Sequence, residues 1–424
     1  MKKFILYVAI AVAATLPGLI VRFAGVQLTP ILATIVFFVA ILAAGLLLSW
    51  GVEAAEKHVS QGLAVAVLAL ITVLPEYAVD IYFSYQAGKD PSSSYVGYAA
   101  ANMTGANRLL VGTAWTMLVL LYWWRGKKRG VDLLPENSIE AAFLFIASLY
   151  SFVIVLKDRI ELLDTLILVA IFFAYLWRVG RLPNEEENED EIEVGPTAEL
   201  VKLPMARQWT IIAALAVFAA AVILASAEPF AESLIAASRA IGINEFLLIQ
   251  WLAPLASEAP AIIVAVLFAF ALRPTVALGS LISDKINQWT LLVGMIPLAF
   301  SIGMKGIGFL PLDARQREEF FLTAAQSLFA VALILCLRLS LKGTFALLGL
   351  FLVQLALAFF YRSDEPRTIA VLTYLAWVYL ALAVGLLAWN RRCLIECIRV
   401  GLLGRSPSPK INEAVKNAES EIKL

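Results

Sequence analysis

The stretch Ile71-Thr72-Val73-Leu74-Pro75-Glu76, with Asp80 one helical turn further on, is followed by Gly97-Tyr98-Ala99-Ala100-Ala101-Asn102; together they place two carboxylates and an amide among apolar residues. The arrangement returns at a constant offset of 182 residues as Ala253-Pro254-Leu255-Ala256-Ser257-Glu258 and Gly279-Ser280-Leu281-Ile282-Ser283-Asp284. Glu76 aligns with Glu258, Gly97 with Gly279, Asn102 with Asp284 and Gly112 with Gly294, without a gap. Self-similarity at one fixed offset marks a chain built from two copies of a structural unit.

The surroundings define the solvent of those units. The chain has 424 residues, 61% of them hydrophobic and only 16% charged, with as many acids as bases. A water-soluble protein runs near a quarter charged, so a soluble enzyme is excluded, and the balanced charge gives no footing for nucleic acid. A bilayer-spanning helix needs about 20 apolar residues. Such runs recur at about 4–24, 31–55, 60–87, 92–122, 138–156, 160–178, 208–237, 243–271, 274–303, 319–337, 342–361 and 368–390. They are too long and too continuous for alternating barrel strands. The fold class expected is an all-α polytopic membrane protein, a bundle of about ten core helices with one extra helix at each end.

The two glutamate spans are an odd number of spans apart, so the copies run in opposite directions across the membrane. Basic residues near span ends favour the cytoplasm. Lys2, Lys3, Arg125, Lys127, Lys128 and Arg129 fall on one side and the sparser Lys89, Lys157 and Arg159 on the other, so both termini are expected in the cytoplasm of a multi-pass cell-membrane protein. Met1 to Ala13 also reads as a signal peptide, but its apolar run continues to Ile20, which favours a retained span. The expected organisation is an extra helix at 1–27, a first repeat half at 28–178, an acidic linker at 179–207, a second half at 208–361, an extra helix at 366–390 and a tail at 391–424. The three cysteines, Cys336, Cys393 and Cys397, sit in or beside apolar runs, and the single His58 has no ligand-spaced partner. The sequence therefore argues against a disulfide framework and against a zinc or haem site.

Inverted repeats with polar residues in mid-span are the sequence pointer to a secondary transporter with a midplane site. An ionised Glu76 or Glu258 in lipid costs several kcal/mol unless it faces a cavity or a cation. Pro75, Pro254 and Pro260 break the helical hydrogen-bond ladder beside them and free backbone carbonyls. Carboxylate, carbonyl and amide oxygens suit hard cations such as Ca2+ or Na+. The candidate cation ligands are Glu76, Glu258, Asn102, Asp284, Asp80, Ser257, Ser280 and Thr72, with Ser283 as a weaker contributor and Lys285 and Asn107 as coupling or supporting residues. Serine and threonine in membrane helices more often bond their own backbone or neighbouring helices. For the glutamates the rival reading is a buried ion pair with Lys285 or Arg108.

These residues resemble the cation/Ca2+ exchanger superfamily, which includes the sodium/calcium exchangers. Its members carry two inverted repeats, each with a Gly-Thr-Ser-x-Pro-Glu type segment and a Gly-Ser-Asn type segment on the next helix. The resemblance covers about 50–115 and 225–300, and Ile241-Gly242-Ile243-Asn244-Glu245-Phe246 is similar to the family's approach to its second glutamate helix. It implies that Glu76 and Glu258 are central Ca2+ or Na+ ligands, with Asn102 and Asp284 beside them, in a cation antiporter working by alternating access. The hydroxyls that bind sodium in the family are replaced at Pro254 and Leu255, Tyr98 stands for a small hydroxyl residue, Asp80 for a serine, and Lys285 adds a cation beside Asp284. A monovalent cation/proton antiporter on the same fold and a non-transporting membrane scaffold stay open as alternatives. The expected partners are inorganic cations (Ca2+, Na+ or H+, as cargo) and lipid, with no resident cofactor and no covalent chemistry.

Overall fold

The protein is described by a computed structural model covering residues 2–56, 73–182, 200 and 203–404. It is predominantly helical, as the apolar runs require: in a medium without water every backbone amide must find its partner within its own helix. In chain order the helices are α1 (Lys2–Ala24), α2 (Pro30–Glu56), α3 (Leu74–Lys89), α4 (Tyr95–Leu109), α5 (Thr116–Gly126), α6 (Ser138–Lys157), α7 (Leu162–Val179), α8 (Met205–Ile241), α9 (Glu245–Phe270), α10 (Pro274–Asn287), α11 (Val293–Met304), α12 (Ala314–Ile334), α13 (Leu341–Phe360), α14 (Glu365–Trp389) and α15 (Arg391–Gly401). Each expected span falls on a helix, apart from the first part of 60–87, which lies outside the described residues together with Thr72, His58 and the acidic run 185–193. Among the described residues nine helices are long and apolar enough to cross a membrane.

Among the described residues two helical runs pass through π turns. The backbone passes through π-helical turns at Leu110–Trp115, between α4 and α5, and at Gln288–Leu292, between α10 and α11. Such turns interrupt the i to i−4 ladder and frequently mark functional positions.

The chain forms two compact units. The first comprises residues 1–106, 183–267 and 295–310. It holds α1, α2, α3, α4 as far as Ala106, α8, α9 as far as Leu267 and most of α11. The 37 residues of α8 make a helix of about 55 Å at 1.5 Å per residue, well beyond a hydrocarbon core of about 30 Å, with Pro229 inside it. Its helices approach closely where side chains are absent. A Cβ on Gly105 would overlap the carbonyl of Gln250, and one on Gly88 would overlap the carbonyl of Phe300.

The second unit comprises residues 107–182, 268–294 and 311–424. Here α12 begins with Asp313 as its cap, the carboxylate accepting the Gln316 amide at 2.8 Å. Strand β1 (Gly130–Asp132) pairs antiparallel with β2 (Arg338–Ser340). In its interior, Arg108 and Arg315 both pair with Glu319, and Arg315 also reaches Glu318 at 3.3 Å, a buried set of two cations and two anions. The stretch 391–401, expected as tail, is the amphipathic helix α15. Cys393, Cys397 and Gly401 recur every fourth residue on the face it packs against the start of α6, where Cys397 Sγ donates to the Ser138 carbonyl at 3.4 Å.

The sequence argues against a disulfide framework, and the structure corrects this: Cys336 and Cys393 are joined by a disulfide across a Cα separation of 5.1 Å. The two residues are 57 apart in sequence, at no spacing that signals a pair. Only the docking of α15 brings them together. Cys397 remains a buried free thiol.

Candidate functional site

In the first unit α3 begins immediately after a turn at Val73, with Pro75 in its opening positions and Glu76 in its first turn. Proline suits this place because its missing N–H is one that a helix start leaves unpaired anyway. The positive end of the helix dipole then favours the carboxylate of Glu76, which is 2% exposed. One turn along the same face, Asp80 is equally buried and accepts a hydrogen bond on Oδ1 from Asn102 Nδ2 of α4 at 2.7 Å. This bond sets the amide's orientation. Asn102 spends its donor on Asp80 and leaves its Oδ1 free, while Asp80 keeps Oδ2 free; both oxygens are buried without a hydrogen-bond partner among the described residues. Buried oxygens of this kind are rare in folded proteins and are completed by water or an ion.

Glu258 lies inside α9 and is 5% exposed. Pro254 and Pro260 flank it in the same helix, so the carbonyls of Gln250 and Ala256 lack their usual i+4 amide donors. Ser257 is buried and donates its hydroxyl to the Pro254 carbonyl at 3.2 Å, the backbone bond common for serine in a membrane helix. Glu76, Asp80, Asn102, Ser257 and Glu258 all belong to the first unit.

The second unit receives the rest. Lys285 of α10 is buried, and its Nζ donates to the backbone carbonyl of Asn107 at 2.6 Å and to Asn107 Oδ1 at 2.7 Å. The ammonium also stands 5.6 Å from the centre of the Trp289 ring. Asp284, half-buried, precedes it in the chain; Ser283 shares a hydrogen bond of 2.9 Å with Tyr175, and Ser280 is exposed. Arg108 engages Glu319.

Three buried groups of the first unit escape a reading from the repeat alone. Gln250, two turns before Glu258, has both side-chain polar atoms buried and without a hydrogen bond among the described residues, as do the hydroxyls of Ser84 and Tyr98. For Ser84 a signal existed: Glu76, Asp80 and Ser84 recur every fourth residue and mark one polar stripe on α3. Tyr98 was marked only by the family resemblance, as the residue standing for a small hydroxyl, and Gln250 carried no signal, since its place depends on which way α9 is rotated.

Among the described residues no three His, Cys, Asp or Glu side chains form a metal-holding group.

The family model for sodium/calcium exchanger proteins matches residues 29–180 and 211–360. A crystal structure of the H+/Ca2+ exchanger CAX is 39% identical to this chain, covers 95% of it and 98% of its own length, and superposes with a TM-score of 0.86. The sodium-calcium exchanger NCX_Mj soaked with Na+ and Sr2+, 18% identical, covers 82% of this chain and 99% of its own at a TM-score of 0.51, a likeness of fold. No curated protein matches the chain. By the matched model and the CAX likeness together, the chain belongs to the cation/Ca2+ exchanger superfamily, a family of polytopic helical membrane transporters.

Proposed function

We infer that this chain is a calcium antiporter coupled to protons, working by alternating access in the cell membrane with both termini in the cytoplasm. The observation that carries the coupling ion is the clamp on Lys285: a buried ammonium held at 2.6 and 2.7 Å by Asn107, in the residue after Asp284. A resident ammonium supplies the positive charge that a sodium ion would otherwise bring to such a carboxylate, and it does not leave with the cargo. Two further observations support the same reading. The hydroxyls that the family resemblance assigns to sodium are absent at Pro254 and Leu255, and the solved relative at 39% identity exchanges H+ for Ca2+.

In this mechanism Ca2+ neutralises Glu76 and Glu258 together, whereas protons neutralise them one at a time. Each carboxylate is too deeply buried for the protein to switch the site from one side to the other while it is charged and unaccompanied, because an uncompensated charge in the bilayer costs several kcal/mol. The requirement that both be neutralised by one ion class or the other couples the fluxes. Asp80 and Asn102 contribute the free oxygens Oδ2 and Oδ1.

The test is flux in liposomes containing the purified chain. Acid-loaded vesicles should accumulate 45Ca2+, and a protonophore with clamped membrane potential should abolish uptake. Accumulation that follows an imposed Na+ gradient and ignores pH would overturn the coupling in favour of sodium.

A further inference from the structure

The clamp on Lys285 joins two segments of irregular helix. Asn107 and Lys285 each lie three residues before a π-helical turn, at Leu110–Trp115 and Gln288–Leu292 respectively. A π turn interrupts the i to i−4 ladder, so the α period alone does not fix how the backbone is rotated there. Bonds of 2.6 and 2.7 Å from one ammonium to one residue therefore need both ends held from outside.

Helix α12 holds both. Seventeen of its 21 residues are buried, Glu319, Phe320 and Ser327 among them, so its polar side chains meet protein and not water. At the Asn107 end, Glu319 turns one carboxylate oxygen to Arg108 and the other to Arg315, with all three side chains at most 9% exposed. The carbonyl that accepts from Lys285 belongs to the planar peptide joining Asn107 to Arg108, so fixing Arg108 steadies that carbonyl. A carboxylate shared by two buried guanidiniums is a strong tie, because removing it leaves charge uncompensated in the interior. At the Lys285 end, the centre of the Trp289 ring stands 5.6 Å from the ammonium. Its indole Nε1 donates to Ser327 Oγ at 2.7 Å, and its ring meets Phe320 edge to face at 6.5 Å. Phe320 and Ser327 are seven residues apart and share one face of α12. One helix thus braces the arginine behind Asn107 and the ring beside Lys285.

We propose that Glu319 and Ser327 are positioning residues for Lys285, which keep its ammonium where it excludes sodium from the site beside Asp284. Glu319 acts through Arg108 and Asn107, and Ser327 through Trp289. The inference rests on the resident-ammonium reading above and adds to it the residues that decide cation specificity.

The test is 45Ca2+/Ca2+ exchange by the full chain in liposomes, at one pH, with either Na+ or choline on both sides. The wild-type chain should exchange at the same rate in both, and Lys285→Gln should change its rate with Na+ by about fivefold or more, the lower end of couplings between sites. Glu319→Gln and Ser327→Ala should each show that Na+ response, and adding either to Lys285→Gln should not enlarge it. Ser327→Ala deletes a single bond and serves where Glu319→Gln does not fold; Trp289→Phe cuts the same bond from its other end and should match it. Arg317→Ala, which removes an exposed pair with Asp158 at 3.2 Å from the same helix, is the control and should stay indifferent to Na+. Slowing by one factor with and without Na+ is what a merely structural loss gives. Found in Glu319→Gln and Ser327→Ala while Lys285→Gln responds to Na+, it would overturn the positioning role alone. A Lys285→Gln chain indifferent to Na+ would overturn the resident-ammonium reading, and the positioning role with it.

Discussion

Lys285 Nζ is held by both acceptors of a single residue, the backbone carbonyl and the side-chain oxygen of Asn107, at 2.6 and 2.7 Å. Lys285→Gln keeps a donor but removes the charge, and loss of a charged buried hydrogen bond costs about 1.5–3 kcal/mol of stability. In flux the variant should gain a response to sodium, because the vacated positive charge beside Asp284 becomes available to a free cation. Uptake measured with and without Na+ decides it; a variant whose uptake stays indifferent to Na+ speaks against the resident-ammonium role.

Glu76→Gln and Glu258→Gln each keep shape and lose charge at a buried position. Both should reduce 45Ca2+ uptake to the level of protein-free liposomes while remaining monodisperse and within about 1 kcal/mol of the original stability, since a neutral amide is cheaper to bury than a carboxylate. A scaffold would show the reverse, a change in thermal unfolding with no flux to lose.

Asn102→Leu removes the donor that Asp80 accepts at 2.7 Å and strands a buried carboxylate oxygen. The expected cost is about 1–3 kcal/mol in thermal or denaturant unfolding, with calcium uptake half-saturating at higher concentration. Unchanged half-saturation would take Asn102 out of the cation site.

Gly105→Ala would drive a methyl group into the carbonyl of Gln250. The backbone on both sides has no flexible side chain to yield, so overpacking of about 1–3 kcal/mol is expected, seen as a lowered unfolding temperature. Ala at Gly349, where an added Cβ meets nothing within 4 Å, is the matched control.

The thiols supply a pH-dependent check. Burial, with Glu140 as a lesser cause, pushes the Cys397 thiol up from 9.0 to about 12. A thiol must be ionised to react, so native protein at pH 8 should show no alkylation of Cys397 on the timescale of a free cysteine, with the rate climbing as pH rises toward 12. The sign for stability is the same: an acid with a raised folded pKa favours the folded state below its unfolded value and loses that contribution as pH rises through the folded one. Iodoacetamide with mass readout should find no reactive thiol in the native chain, one after unfolding and three after unfolding with reductant, since Cys336 and Cys393 are joined. Three thiols without reductant would contradict the disulfide.

Much of this was legible along the chain. Hydropathy is a sum over neighbours in sequence, so the expected spans fall on helices wherever the residues are described, and 319–337 falls on α12 although Arg315, Arg317, Glu318 and Glu319 crowd its start and it is not among the nine helices apolar enough to cross a membrane. The repeat is also a linear property, and it singled out Glu76, Glu258, Asn102 and Asp284. The amphipathic α15 was passed over as tail because its eleven residues follow the last apolar span and carry three arginines.

What the sequence determined alone is the medium, the helical fold class and the paired acidic positions, because each follows from residue type and spacing. Only the tertiary structure decided that Asn102 turns its amide to Asp80, that Asn107 clamps Lys285, that Cys336 finds Cys393, and that Tyr98 and Ser84 bury oxygens without a hydrogen-bond partner among the described residues. Each of these depends on how one helix is rotated and shifted against another, and in a chain apolar on nearly every face no periodicity fixes that rotation.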